Sequence, residues 1–156
     1  MKTIGSAIIM LVLTPSLFAD NGKELKLTSP DGTHEIAFYQ KQVSPAVNEL
    51  CYRVDYKSQP VVNESRAGLE LDNRIWEMAL GARNLKQPAC WMDNLEVDSV
   101  TYQPETDITW QPLYGERSSV RDHYRAGTLY LSKKDNSGYR LNIEVRAYNE
   151  GVAFRY

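Results

Sequence analysis

Residues 110 to 124 read Trp-Gln-Pro-Leu-Tyr-Gly-Glu-Arg-Ser-Ser-Val-Arg-Asp-His-Tyr. Trp110, Tyr114 and Tyr124 offer aromatic faces, and such faces stack on the C–H surfaces of sugars. Glu116, Arg121 and His123 bring the charged hydrogen bonds that grip hydroxyl groups. Taken as chemistry, the segment is a carbohydrate-facing loop between two strands. The same residues also make a structural corner, with Trp110 and Tyr114 packed over a sheet end and Glu116 paired to Arg121.

Other chemistries find little support. No His, Cys, Asp or Glu set has metal-ligand spacing, and there is no G-x-S-x-G, phosphate-binding glycine loop or H-E-x-x-H. His34 reads as a surface or packed histidine, and Asp31 as a turn residue. Asn63-Glu64-Ser65 matches a glycosylation acceptor, a pattern common by chance. The 156 residues carry 18 Lys+Arg against 20 Asp+Glu, a net charge of −2. That balance lacks the basic face that nucleic acid requires. A hydrophobic share of 42% excludes a disordered tail. The 2 cysteines cannot staple a miniprotein or fill a four-cysteine zinc site.

The elements that would hold the 110–124 segment are strands. Leu50, Tyr52, Val54 and Tyr56 alternate with polar residues, as do Leu141, Ile143, Val145 and Ala147. This two-residue period belongs to strands with one dry face and one wet face. Pro30-Asp31-Gly32 marks a turn before the alternating run from His34 to Tyr39. Further strands are predicted at 25–28, 60–63, 67–71, 95–102, 108–110, 128–133, 139–148 and 152–156. Asp135-Asn136-Ser137-Gly138 joins two of them as a hairpin. One stretch departs from the pattern: Ile75, Ala79 and Leu80 sit at helical offsets, predicting a short helical segment near 74–81. Many short strands at regular spacing predict an all-β antiparallel sandwich.

Residues 1–19 read as an export signal. Lys2 precedes a short apolar run, Thr14, Pro15 and Ser16 break it, and Ala19 offers a cleavage position. The run is about half the length that a bilayer span needs, so no membrane span is expected after its removal. Residues 20–156 then form one domain, exported to the periplasm or beyond. Export permits a Cys51–Cys90 disulfide; two unrelated thiols are the other reading.

Four pieces occur in order: Thr28-Ser29-Pro30-Asp31-Gly32, Gly68-Leu69-Glu70-Leu71, the Trp110-x-Pro112-x-Tyr114-Gly115-Glu116 segment with Arg121-Asp122-His123-Tyr124, and Asn149-Glu150-Gly151-Val152-Ala153-Phe154-Arg155-Tyr156. Together they make the chain resemble the N-terminal domain of glycoside hydrolase family 97, a family of exported α-glucosidases and α-galactosidases.

The resemblance implies a galactose-mutarotase-like β-super-sandwich ahead of a catalytic (β/α)8 barrel. It implies α-glucoside or α-galactoside as the carbohydrate, and a calcium ion held mainly by glutamates in full-length relatives. The paired carboxylates that glycoside hydrolysis needs lie in the barrel, so no catalytic residue carries over to this chain. No calcium-binding glutamate matches a position here, and no cofactor is expected in this chain. Because 152–156 reads as a strand with no polar tail, the sandwich is expected to be incomplete, a truncated domain lacking the barrel. Within that frame Glu116, Arg121, His123, Asn149 and Glu150 are candidates for the pocket edge or a domain interface. Trp110, Tyr114 and Tyr124 would be the stacking residues of the alternative, a stand-alone periplasmic carbohydrate-binding or structural module. A third reading is a mutarotase-like enzyme with His123 and Glu116 as acid and base.

Overall fold

The computed structural model describes residues 24–45, 47–70, 91–134 and 138–156. The export signal, the helical segment near 74–81 and Cys90 lie outside the described residues. The described residues form nine strands and no helix: β1 (Glu24–Thr28), β2 (His34–Ser44), β3 (Val47–Tyr56), β4 (Gln59–Arg66), β5 (Leu95–Tyr102), β6 (Thr106–Trp110), β7 (Val120–Lys133), β8 (Arg140–Tyr148) and β9 (Gly151–Arg155).

Two antiparallel sheets result. The first runs β1-β2-β3-β4, each strand beside its sequence neighbour. The second runs β5-β7-β8-β9, with β6 also paired to β7. This is the all-β antiparallel sandwich that the alternation predicts. The turns follow from local chemistry. The Asp31 carboxylate accepts from the Ser29 hydroxyl at 2.6 Å and from the backbone N–H and hydroxyl of Thr33, while Gly32 takes φ 75°. Between β3 and β4, Lys57 and Ser58 both adopt left-handed φ, of 48° and 62°, the conformation that a two-residue hairpin of matching twist demands.

The core lies between the sheets. Leu25, Leu27, Ile36, Phe38, Leu50 and Val54 face Leu95, Val97, Leu129, Leu131, Ile143, Val145 and Ala147. Gly127 allows the close approach: a Cβ there would stand 3.1 Å from Leu25 Cδ1 and 3.2 Å from the Thr101 carbonyl. An aromatic cluster closes one side of the layer. Phe38 stacks near Tyr52 at 5.6 Å and meets the edge of Phe154 at 5.2 Å.

Two strand assignments differ from the reading of the sequence. Residues 67–69 leave the sheet; Ala67 is buried, and the Trp91 N–H donates to the Leu69 carbonyl at 2.8 Å. The packing of Trp91 against this segment replaces a ladder. Residues 120–127, taken as part of a loop and its exit, are the first half of the 14-residue β7. Cys51 is buried on β3, and burial raises its thiol above the ordinary range.

Asp31 ties the turn chemistry to pH. The Ser29 hydroxyl, followed by the Thr33 backbone, holds its carboxyl down at about 2. A depressed acid contributes stability that is fully present above its unfolded pKa and is lost as pH falls through the folded value. Stability against thermal unfolding is therefore expected to fall between about pH 4 and pH 2, and Asp31→Ala should remove that part of the slope. An unchanged acid limb in the variant would contradict the assignment.

Candidate functional site

The second sheet carries a ribbon at one end. Strand β6 pairs with the first half of β7, Thr106 opposite Tyr124 through Trp110 opposite Val120, and residues 111–119 connect them. Successive residues of a strand point to opposite faces, so the ribbon has two. The face continuous with the sandwich interior carries Glu105 and Asp107 beside Arg121, His123 and Arg125. The outward face carries Thr106, Ile108 and Trp110 beside Asp122 and Tyr124.

The polarity of β7 changes along its length. At Leu129 and Leu131 the inward positions are core; at Arg121, His123 and Arg125 they are polar and each meets a carboxylate. Arg121 grips Asp107 with two bonds, at 2.7 and 2.6 Å, which lowers the Asp107 carboxyl. Glu105 stands 2.7 Å from His123 Nε2 and accepts from Arg125 Nε at 2.9 Å. These bonds, His123 first, push the Glu105 carboxyl down. Arg125 also donates to the Ser29 carbonyl at 3.5 Å, and the Asn149 side chain accepts from the Asp31 N–H at 3.0 Å. The β1–β2 turn is thus tied to both β7 and the β8–β9 turn. Glu150, in that last turn, adds its field to Arg121.

The outward face is aromatic. Tyr124 and Tyr148 lie 5.2 Å apart between ring centroids, and the Arg146 guanidinium sits 4.4 Å over the Tyr124 ring, a cation–π contact. Glu144 and Arg155 form an ion pair next to them. Glu144, Arg146, Tyr148 and Arg155 line a cavity of about 220 Å³. At the ribbon tip, residues 110–114 line a second, more apolar cleft of about 410 Å³. Leu113 is 100% exposed and Tyr114 90%.

The predicted residues therefore separate into four places. Arg121 and His123 share the charged face, Tyr124 joins the aromatic face, and Trp110, Tyr114 and Glu116 occupy the exposed tip. Asn149 and Glu150 lie in the β8–β9 turn. The corner reading fails in two respects: Arg121 is held by Asp107 instead of Glu116, and Tyr114 projects into solvent. His123 is paired with Glu105, while Glu116 lies in the connection at the ribbon tip. His123 Nδ1 is buried without a hydrogen-bond partner. Glu105, Asp107, Arg125, Glu144, Arg146, Tyr148 and Arg155 escaped the reading of the sequence. The two-residue spacing of 105/107 and of 121/123/125 was their signal, visible only once 120–127 is a strand. Among the described residues, no three His, Cys, Asp or Glu side chains converge to hold a metal ion.

Comparison with known proteins agrees with this architecture. A retaining alpha-galactosidase from Bacteroides thetaiotaomicron is 26% identical over 156 residues, all of this chain but 19% of that protein. Solved structures of a glycoside hydrolase family 97 enzyme from Pseudoalteromonas sp. strain K8, in complex with panose and with acarbose, superpose with a TM-score of 0.66 at 26% identity. Each alignment covers 85% of this chain and 17% of the solved one. The chain thus spans about a fifth of the length of these relatives. Residues 27–156 match the family described as Glycosyl-hydrolase 97 N-terminal, from within β1 through β9, and on that match the chain belongs to this family.

Proposed function

We propose that the chain is the N-terminal sandwich of an exported α-glycosidase, supporting a catalytic (β/α)8 barrel and bordering its sugar pocket without hydrolysing sugar itself. One observation carries the reading: residues 27–156 match the N-terminal family while the chain spans only 19% of a curated relative; among the described residues, the carboxyls that the fold perturbs, Asp31, Glu64, Glu105 and Asp107, are pushed down. A glycosidase needs one carboxyl held up as a general acid beside a second at a controlled separation. A chain spanning 19% of a curated relative leaves room for that pair elsewhere. The outward face, with Tyr124, Tyr148, Arg146 and the Glu144–Arg155 pair, and the tip with Trp110, Tyr114 and Glu116, form the border toward an α-glucoside or α-galactoside. Calcium, which the family resemblance implies for full-length relatives, is on this reading held outside this chain. The first 19 residues direct export.

Hydrolysis of p-nitrophenyl α-glucoside and α-galactoside by the purified chain is expected to stay at background; turnover would overturn the proposal. The exposed tip favours a second reading, a stand-alone carbohydrate-binding module. Calorimetry with panose separates the two. The N-terminal-part reading expects no more than weak, millimolar association, whereas micromolar binding abolished by Trp110→Ala with the fold intact would establish the module.

A further inference from the structure

Strands β5 and β6 lie along one neighbour. Tyr102 pairs with Gly127 and Thr106 with Tyr124, so residues 103–105 stand opposite residues 125 and 126 alone. Three residues against two is a β-bulge, which bends its strand, and Pro104, which cannot donate to a ladder, sits inside it. This is the point at which the ribbon of β6 and the first half of β7 can swing against the sandwich. Glu105, the last residue of the bulge, reaches across to β7. It stands 2.7 Å from His123 Nε2 and accepts from Arg125 Nε at 2.9 Å, while Arg125 also reaches the Ser29 carbonyl. The bend is clasped to the body through these side chains.

The clasp contains a conflict. Glu105 is ionised, because its carboxyl is pushed down, so both its oxygens only accept. The proton between Glu105 and His123 therefore belongs to Nε2, and in the neutral ring Nδ1 is a bare lone pair. Nδ1 is buried, and no group among the described residues bonds it. The next proton can go only there. The surrounding charges draw it in. Glu105 and Asp107 come from the β6 side, Asp31 from the β1–β2 turn and Glu150 from the β8–β9 turn. Against these four acids stand Arg121 and Arg125 on β7 itself. Once there, the proton makes Nδ1 a buried donor without an acceptor, which is the costly arrangement. Charging His123 and keeping the clasp shut oppose each other.

We propose that His123 is a proton-operated clasp: it holds the bulge to β7 when neutral, and on acidification it turns out toward water, frees Glu105 and lets the ribbon swing. A proton shifts this equilibrium by its preference for one state, and it prefers the open one, where both ring N–H groups are hydrated. Histidine is the side chain that ordinarily changes charge between pH 5 and 8. The ribbon carries the tip with Trp110 and Tyr114, so acidification would move the border of the sugar pocket; that consequence rests on the function proposed above, and the clasp does not.

Amide hydrogen exchange of the purified chain, corrected for its intrinsic pH dependence, tests the clasp without any sugar, so the two readings can fail separately. Between about pH 7.5 and about pH 5.5, a window set by histidine, protection of residues 106–110 and 120–124 should fall relative to β8. A fall of about tenfold is expected, the factor that one orphaned buried donor supplies. H123Q keeps a donor for Glu105 but takes no proton, and should hold full protection at both pH values. E105A should show the open ribbon at both. Nitrogen-15 NMR of the imidazoles should find the Nε2–H tautomer of His123 at the higher pH, with H34N identifying the signal of the second of the 2 histidines. Parent protection that does not change with pH would overturn the proposal, as would a fall that persists in H123Q, a protected ribbon in E105A, or the Nδ1–H tautomer.

Discussion

Phe38→Ala is expected to remove about 3–5 kcal/mol of unfolding free energy, the range for truncating a buried aromatic ring. Phe38 is 0% exposed and sits on β2 between Leu25 of β1 and Tyr52 of β3. It also crosses to the second sheet through Phe154 of β9, ring to ring at 5.2 Å. The ring therefore fills the space between sheets on the side where the first-sheet strands β2 and β3 face β9. Neighbouring rings are stiff and collapse poorly into a hole, which places the loss toward the upper end of the range. Domains hold only about 5–15 kcal/mol in total, so the variant should be marginal at room temperature. Chemical denaturation measures the change directly. A loss below about 1 kcal/mol, typical of ordinary sites, would mean that this side of the layer is not packed around Phe38.

Gly68→Ala is expected to be nearly as damaging, by a different route. A Cβ at residue 68 would lie 2.5 Å from the Trp91 carbonyl oxygen and 3.0 Å from Met92 Cα. Both are backbone atoms, so no side-chain rotation relieves the overlap. The two segments are stitched at this point: Trp91 donates to the Leu69 carbonyl, and the Tyr156 hydroxyl both accepts from the Gly68 N–H and donates to its carbonyl, each at 2.9 Å. Separating them loosens Trp91, 6% exposed, and unseats Tyr156. A cost of about 2–4 kcal/mol is expected, in the range of strained or overpacked substitutions, with a red shift in tryptophan emission. A variant within about 0.5 kcal/mol of the parent, the range of surface substitutions, would show that the two segments do not cross so closely.

Where one strand face is dry, the strands were legible. β5 spans Leu95–Tyr102, the bounds that its composition predicts, and the inward residues of β8, Ile143, Val145 and Ala147, are buried as their alternation requires. The first half of β7 was not legible for the opposite reason. Its inward positions are Arg121, His123 and Arg125, past the end of the facing sheet, so the apolar period that marks a strand vanishes. With the strand hidden, Arg121 was matched to Glu116, five residues away in sequence. Its true partner, Asp107, lies across a ladder, one step diagonal from Thr109, which faces Arg121. The 67–71 run failed differently: its Ala67 is core and Leu69 packs against it, but Gly68 admits a crossing backbone where a ladder would run. For Trp110 and Tyr114 composition left a stacking loop and a packed corner both open; the fold leaves them 49% and 90% exposed, because nothing in it needs to bury them.

The reversal of polarity along β7 separates what this domain must conserve from what it can change. Beyond Ala126 the inward residues of that strand, Leu129 and Leu131, are locked into the core against the facing sheet, whereas the 111–119 connection is joined to the body through a ladder and ion pairs. Insertions and deletions there lengthen or shorten a reach without displacing one core side chain, as surface connections permit. Within a lineage the sandwich can therefore stay fixed while the tip diversifies, giving one scaffold many contact geometries.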